Sequence, residues 1–99
     1  MRIAEETITQ GTIEEFANAH DLTMNIRERR RPLGDQSRFY ASFDRCDVKG
    51  DGVLIGSCGN GATPEAAIAN YAEAISMKRL VWNAHGEDRR EIDVWRLCR

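Results

Sequence analysis

Ninety-nine residues fit a single domain of ordinary size, which excludes a two-domain enzyme with a cleft between lobes. With 41% hydrophobic and 30% charged residues the composition is that of a globular chain, and no apolar run approaches the roughly 20 residues a membrane-spanning helix needs. Fourteen basic residues against 16 acidic ones leave a formal net charge of -2, so the whole chain is neither a polycation built for nucleic acid nor a polyanion that mimics it, and charge must be sought in local patches.

Residues 1–11 read as a polar arm that frays or adds an edge strand, with Gly11 as punctuation. Thr12-Ile13-Glu14-Glu15 is a capping box, and Ile13, Phe16, Ala17 and His20 then recur at helical spacing, which predicts a short helix ending before Asp21. From Leu22 the period changes to two. Leu22, Met24 and Ile26 alternate with Thr23, Asn25 and Arg27, the pattern of a strand with one buried face, and Arg27, Arg29 and Arg31 share the other face. Pro32-Leu33-Gly34-Asp35 marks a reversal, and Phe39, Ala41 and Phe43 form the inner face of a second strand whose outer face carries Arg38 and Tyr40. Asp51-Gly52 signals a hairpin, with 53–58 as a returning strand whose consecutive apolar residues predict a central place in the sheet.

After Gly59-Asn60-Gly61-Ala62, Thr63-Pro64-Glu65 opens a helix with a hydroxyl N-cap, proline in the first turn and an acid at the positive end of the helix dipole. Ile68, Tyr71, Ala72 and Ile75 supply its apolar stripe. Leu80-Val81-Trp82 reads as a strand, His85-Gly86-Glu87-Asp88 as a polar turn, and Ile92, Val94, Trp95 and Leu97 as a final strand able to pair with 79–83. The expected architecture is therefore a single α+β domain: an arm over 1–11, an αβββα core over 12–78 with three to five antiparallel strands and the longer helix across one face, and a C-terminal strand pair over 79–99.

The order of elements in 12–78 resembles double-stranded RNA-binding domains, and residues 38–78 resemble HicB-like antitoxin domains, in which strands lead through a small loop into a helix opening like Thr63-Pro64-Glu65-Ala66-Ala67-Ile68. Two departures bear on function. A double-stranded RNA-binding domain sets lysines at the start of its last helix, whereas 63–75 contains no cation. A HicB antitoxin continues into a DNA-binding segment, whereas the residues after Lys78 read as strands. The chain as a whole is also similar to small accessory proteins of phages and prophages, a class that includes anti-CRISPR proteins. That resemblance implies a non-enzymatic inhibitor that binds a bacterial defence complex, such as a CRISPR effector subunit, in the host cytoplasm and blocks nucleic-acid binding or nuclease recruitment. The alternatives are an antitoxin-like regulator or nucleic-acid-binding module, and a small-ligand binder at the glycine-rich loop 56–61.

Candidate residues follow the same division. Twelve of the 14 cations are arginine, whose planar fork suits carboxylate and phosphate. Arg27, Arg29, Arg31, Arg38 and Tyr40 form the expected partner-binding face, the alternative being a solvated sheet face balanced by Glu28, Asp44 and Asp47, and Trp95, if exposed, marks a partner or homodimer contact. Glu5, Glu6, Glu14, Glu15 and Asp21 form an acidic face around the first helix, able to occupy a nucleic-acid groove or simply to complement a helix N-terminus. His20 reads as a helix C-terminal cation and His85 as a solvated turn residue, and no serine sits in a nucleophile elbow. Cys46, Cys58 and Cys98 have no metal-ligand spacing, and the N-terminus has no apolar leader, so free thiols in a reducing cytosol are expected, with no metal, no cofactor and no membrane.

Overall fold

A computed structural model of the chain describes residues 10–31 and 33–98. Strand β1 (Gln10–Thr12) runs directly into helix α1 (Ile13–His20) because Thr12 caps it: the hydroxyl accepts from the Glu15 N–H at 3.1 Å while the Glu15 carboxylate accepts from the Thr12 N–H at 3.2 Å. Asp21 closes the helix in the left-handed region, at φ 54°. The polypeptide then forms β2 (Met24–Glu28), a 3₁₀ turn over Asp35–Ser37 and β3 (Phe39–Phe43).

A tight turn at Asp44-Arg45, with Arg45 at φ 59°, passes the chain from one sheet to another, and β4 (Cys46–Gly50) and β5 (Val53–Ile55) form a hairpin around Asp51-Gly52, at φ 48° and 79°. Strand β6 (Gly59–Gly61) returns to the first sheet and leads into helix α2 (Pro64–Ile75), where the Thr63 hydroxyl accepts from the Ala66 N–H at 3.1 Å. Strands β7 (Arg79–Trp82), β8 (Arg90–Asp93) and β9 (Arg96–Cys98) complete the chain.

The protein is an α+β domain with an antiparallel three-stranded sheet, β2-β3-β6, and an antiparallel four-stranded sheet, β5-β4-β7-β8, while β1 pairs in parallel with β9. The hairpin at Asp51-Gly52, the capped helices and the pairing of 79–82 with 90–93 follow the sequence reading. The place of residues 53–58 does not. Strand β5 is three residues long and lies on a sheet edge, with Val53 and Ile55 59% and 56% exposed, because the Asp44-Arg45 turn carries the β4-β5 hairpin out of the sheet of β3 and into a second sheet in which β7, not β5, covers the inner side of β4. The expected final strand also divides, into β8 and β9, and the arm contributes β1.

Phe16, Phe43, Tyr71, Ile75 and Leu80 fill the core, with the Phe43 and Tyr71 rings edge-to-face at 5.5 Å. Along α2 the buried positions are Ala67, Tyr71, Ala72 and Ile75, with Ile68 half-buried, so the stripe is turned slightly toward Ala67. The cause is the glycines of β6. A Cβ on Gly59 would stand 2.1 Å from the Tyr71 backbone nitrogen, and one on Gly61 would stand 2.4 Å from that of Ala67. Helix and strand backbones touch there, which no other residue type permits. No described helix is long and apolar enough to cross a membrane.

Candidate functional site

The register of β2-β3-β6 decides which side chains share a face. Arg27 lies opposite Tyr40, Tyr40 opposite Asn60, and Asn25 opposite Ser42, so these five form the outer surface, while Met24 and Ile26 lie with Phe43 and Ala41 on the helix side. Ladder bonding continues one step beyond β2, as the Arg29 N–H donates to the Arg38 carbonyl at 2.8 Å, and this keeps Arg29 on the same face. Its guanidinium lies 4.5 Å from the Tyr40 ring centroid and donates through Nη1 to the Ser37 carbonyl at 2.7 Å. The cation is therefore held in place by a ring and a carbonyl, with no carboxylate paired to it among the described residues. Arg27, Arg30 and Arg31 are exposed and make no ion pair among the described residues.

Two open clefts flank Arg29. One, of about 620 Å³, is lined by Arg29, Arg31, Leu33, Gln36 and Asn60. The other, of about 570 Å³, lies between the sheet face and the turn at 83–85 and is lined by Asn25, Tyr40, Ser42, Cys46, Cys58 and His85, among others.

Arg38 departs from the expected ladder. It ends the 3₁₀ turn in helical geometry, φ -62° and ψ -41°, which breaks the strand alternation just before β3. Its Nε donates to the Glu28 carboxylate at 3.2 Å and its guanidinium lies 5.4 Å from the Phe39 ring, so its charge is balanced on the sheet's other side. Trp95 is not a free surface anchor either. It is half-buried, edge-to-face with Phe16 at 5.0 Å, and its Nε1 is buried with no hydrogen-bond partner among the described residues. Gly11 lies so close that a Cβ there would stand 3.1 Å from Nε1.

The acidic cluster is dispersed. Glu5 and Glu6 lie outside the described residues. Glu14 and Glu15 occupy the first turn of α1, with Glu15 engaged in the capping box, and Asp21 sits at the opposite end of that helix. Helix capping accounts for them as a dipole-complementing pair, and no continuous acidic face forms from the described members.

The remaining candidates also resolve. The His20 ring packs on Phe16 at 4.6 Å, and burial, with the nearby Arg90 charge, lowers its pKa below the ordinary 6.5, so its uncharged form is favoured where a helix-terminal cation was expected. His85 is exposed in its turn, as expected. Burial pushes the Cys46 thiol up to about 11, while Cys58 is exposed, and both are free. In the glycine-rich loop, Gly59 and Gly61 are occupied by helix packing and form no anion cradle, leaving only Gly56, Ser57 and Cys58 on the cleft beside the 83–85 turn. Among the described residues no group of three or more histidine, cysteine, aspartate or glutamate side chains is disposed to hold a metal.

Sequence reasoning missed Arg30, because strand alternation skips it, and it missed Asn60, whose place beside Tyr40 depends on a pairing between β3 and β6 that no local pattern reveals. Asn25 and Ser42 were accessible from the same alternation that gave Arg27 and Tyr40.

The architecture defines an α+β domain with an open, arginine-bearing sheet face. Comparison with family models, with curated proteins and with solved structures finds no match for this chain.

Proposed function

We propose that the chain is a non-enzymatic binding protein that docks through the outer face of β2-β3-β6 on an anionic surface of a larger assembly. In keeping with its resemblance to phage accessory proteins, the assembly is a bacterial CRISPR effector complex in the host cytoplasm, and the chain acts as its inhibitor. The observation that carries the reading is Arg29, held against Tyr40 and Ser37 in a setting where Arg27 and Arg31 have no counter-ions among the described residues. A guanidinium already fixed by a ring and a carbonyl loses little freedom on binding, and the rest of its fork is available for charge-assisted bonds to carboxylate.

The dispersal of the acidic residues shifts the mechanism within that reading. Mimicry of nucleic acid in a basic groove needs a continuous negative face, and Glu14, Glu15 and Asp21 do not make one. Occlusion of an acidic recruitment surface needs only the arginines.

A second reading has its own support: α2 crosses the inner side of a three-stranded sheet whose outer side is open and cationic, an arrangement in line with the HicB-like resemblance and with direct nucleic-acid binding. Affinity-tagged chain incubated with bacterial lysate separates the two. Under the inhibitor reading an effector complex co-purifies with wild type and is lost with Arg27→Glu combined with Arg31→Glu. Duplex affinity of the chain alone, weakening about 40-fold from roughly 50 to 200 mM salt as three phosphate contacts require, would transfer the function to the second reading. Capture that survives the double charge reversal would refute the arginine face altogether.

A further inference from the structure

The four edges of the two antiparallel sheets are guarded unequally. Strand β2 carries Arg27 and Glu28, β8 carries Arg90, Glu91 and Asp93, and β6 has its two glycines sealed under α2. Such charges and covers keep edges from pairing with other chains. Strand β5 has none of them: Val53-Leu54-Ile55 is uncharged, apolar and on the rim of the four-stranded sheet.

The core side of that sheet shows why the edge is incomplete. Successive registers align Ile92, Leu80, Val48 and Ile55 in one row. Ile92 and Leu80 are 6% and 0% exposed, Val48 is half-buried, and the row ends on Ile55 at 56% with Val53 beside it at 59%. An apolar row that begins in the core thus runs past its cover. On the opposite side Lys49 pairs with Glu91 at 2.9 Å and Arg79 with Asp93 at 2.8 Å, and Asp47 is left without an ion pair among the described residues.

From these observations we infer that β5 is a self-association edge, at which two copies of this chain pair their β5 strands antiparallel about a two-fold axis through Leu54. Backbone alternation supports that axis. Gly50 and Val53 close a two-residue turn as a bonded pair, so Val53 and Ile55 direct their N–H and C=O groups to β4, and Leu54 directs both of its own outward. Two outward Leu54 residues satisfy one another reciprocally, and the same operation sets Val53 of each copy opposite Ile55 of the other, a β-branched cross-strand pair. The product is one eight-stranded sheet. A foreign strand would meet the same backbone groups, whereas a second copy brings its Val53 and Ile55 rows in a register fixed by symmetry. The inference does not rest on the arginine face, which belongs to the other sheet.

The test is sedimentation of the full chain under reducing conditions over about 5 to 500 μM, with amide exchange followed at the same concentrations. An interface at the small end of the stable range gives a monomer–dimer equilibrium with Kd in the tens of micromolar, as an order of magnitude. Protection of the Leu54 amide rises with protein concentration. Ile55→Lys, with unchanged circular dichroism, weakens association at least about tenfold, whereas Leu33→Lys, at a fully exposed leucine on the other sheet's loop, leaves it unchanged. A monomer throughout the range, a dimer indifferent to Ile55→Lys, a dimer equally sensitive to Leu33→Lys, or Leu54 protection that requires added lysate would each overturn the inference.

Discussion

Replacing Gly59 with alanine probes the close seating of α2 on β6. The added methyl would stand 2.1 Å from the Tyr71 nitrogen, 2.3 Å from the Ala67 carbonyl oxygen and 2.6 Å from the Tyr71 Cα, and ordinary contact begins at 3.4 Å. Helix α2 would therefore have to retreat from β6 by about 1.3 Å, the difference between 3.4 and 2.1 Å. Every atom met is backbone, so no side-chain rotation relieves the clash, and retreat carries Tyr71, 1% exposed and edge-to-face with Phe43, out of its packing. Overpacking of this kind costs about 1 to 3 kcal/mol, and with rigid atoms on the receiving side the upper end applies; the gain from alanine in an extended segment offsets at most about 1 kcal/mol. A net loss of about 2 to 3 kcal/mol lowers Tm by about 10 to 20 °C in a domain of this length. Thermal and urea unfolding of Gly59→Ala beside Gly34→Ala, where a Cβ meets nothing within 4 Å, measure it directly. Gly59→Ala unfolding within about 3 °C of wild type would refute the close seating of helix on strand.

Two further predictions concern titration and thiol chemistry. Because burial, and then the Arg90 charge, holds the His20 pKa below 6.5, the unfolded chain binds more protons in the interval between the two values. Stability therefore rises with pH through that window and is lost as pH falls below 6.5. Tm measured against pH shows this slope, a proton NMR titration places the His20 midpoint below 6.5, and His20→Gln flattens the slope. With its thiol pushed up to about 11, Cys46 is only about one part in a thousand ionised at pH 8. A thiol-reactive dye applied to Cys98→Ser protein at that pH therefore labels Cys58, further substitution Cys58→Ser removes the label, and rapid labelling of Cys46 would contradict its burial.

Local chemistry was legible in the sequence and long-range registry was not. The capping box at Thr12, the Thr63-Pro64 helix start and the Asp51-Gly52 turn are each decided by residues a few positions apart, and each appears in the structure as read. The passage between sheets at Asp44-Arg45 was hidden because arginine carries no turn signature and takes a positive φ only when its surroundings impose it. Missing that one turn moved Val53–Ile55 from the rim to the centre of the sheet. The arginine-bearing face was half readable for the same reason. Alternation places Arg27 and Tyr40, whereas the anchoring of Arg29 on Ser37, the diversion of Arg38 to Glu28 and the arrival of Asn60 all depend on contacts between segments. Trp95 misled because composition cannot distinguish an interface tryptophan from one that lids a core beside Phe16 and Gly11.

The parallel pairing of β1 with β9 sets a timetable for biogenesis. Gln10 lies beside Arg96 and Thr12 beside Cys98, so two of the most separated described segments must meet before the seat of α1 is finished. During synthesis the α1 segment emerges long before its neighbour, and until then Phe16 lacks the Trp95 ring that meets it edge-on. The seating of α1 is consequently completed only once residues near 96–98 have been made, and these act as its latch.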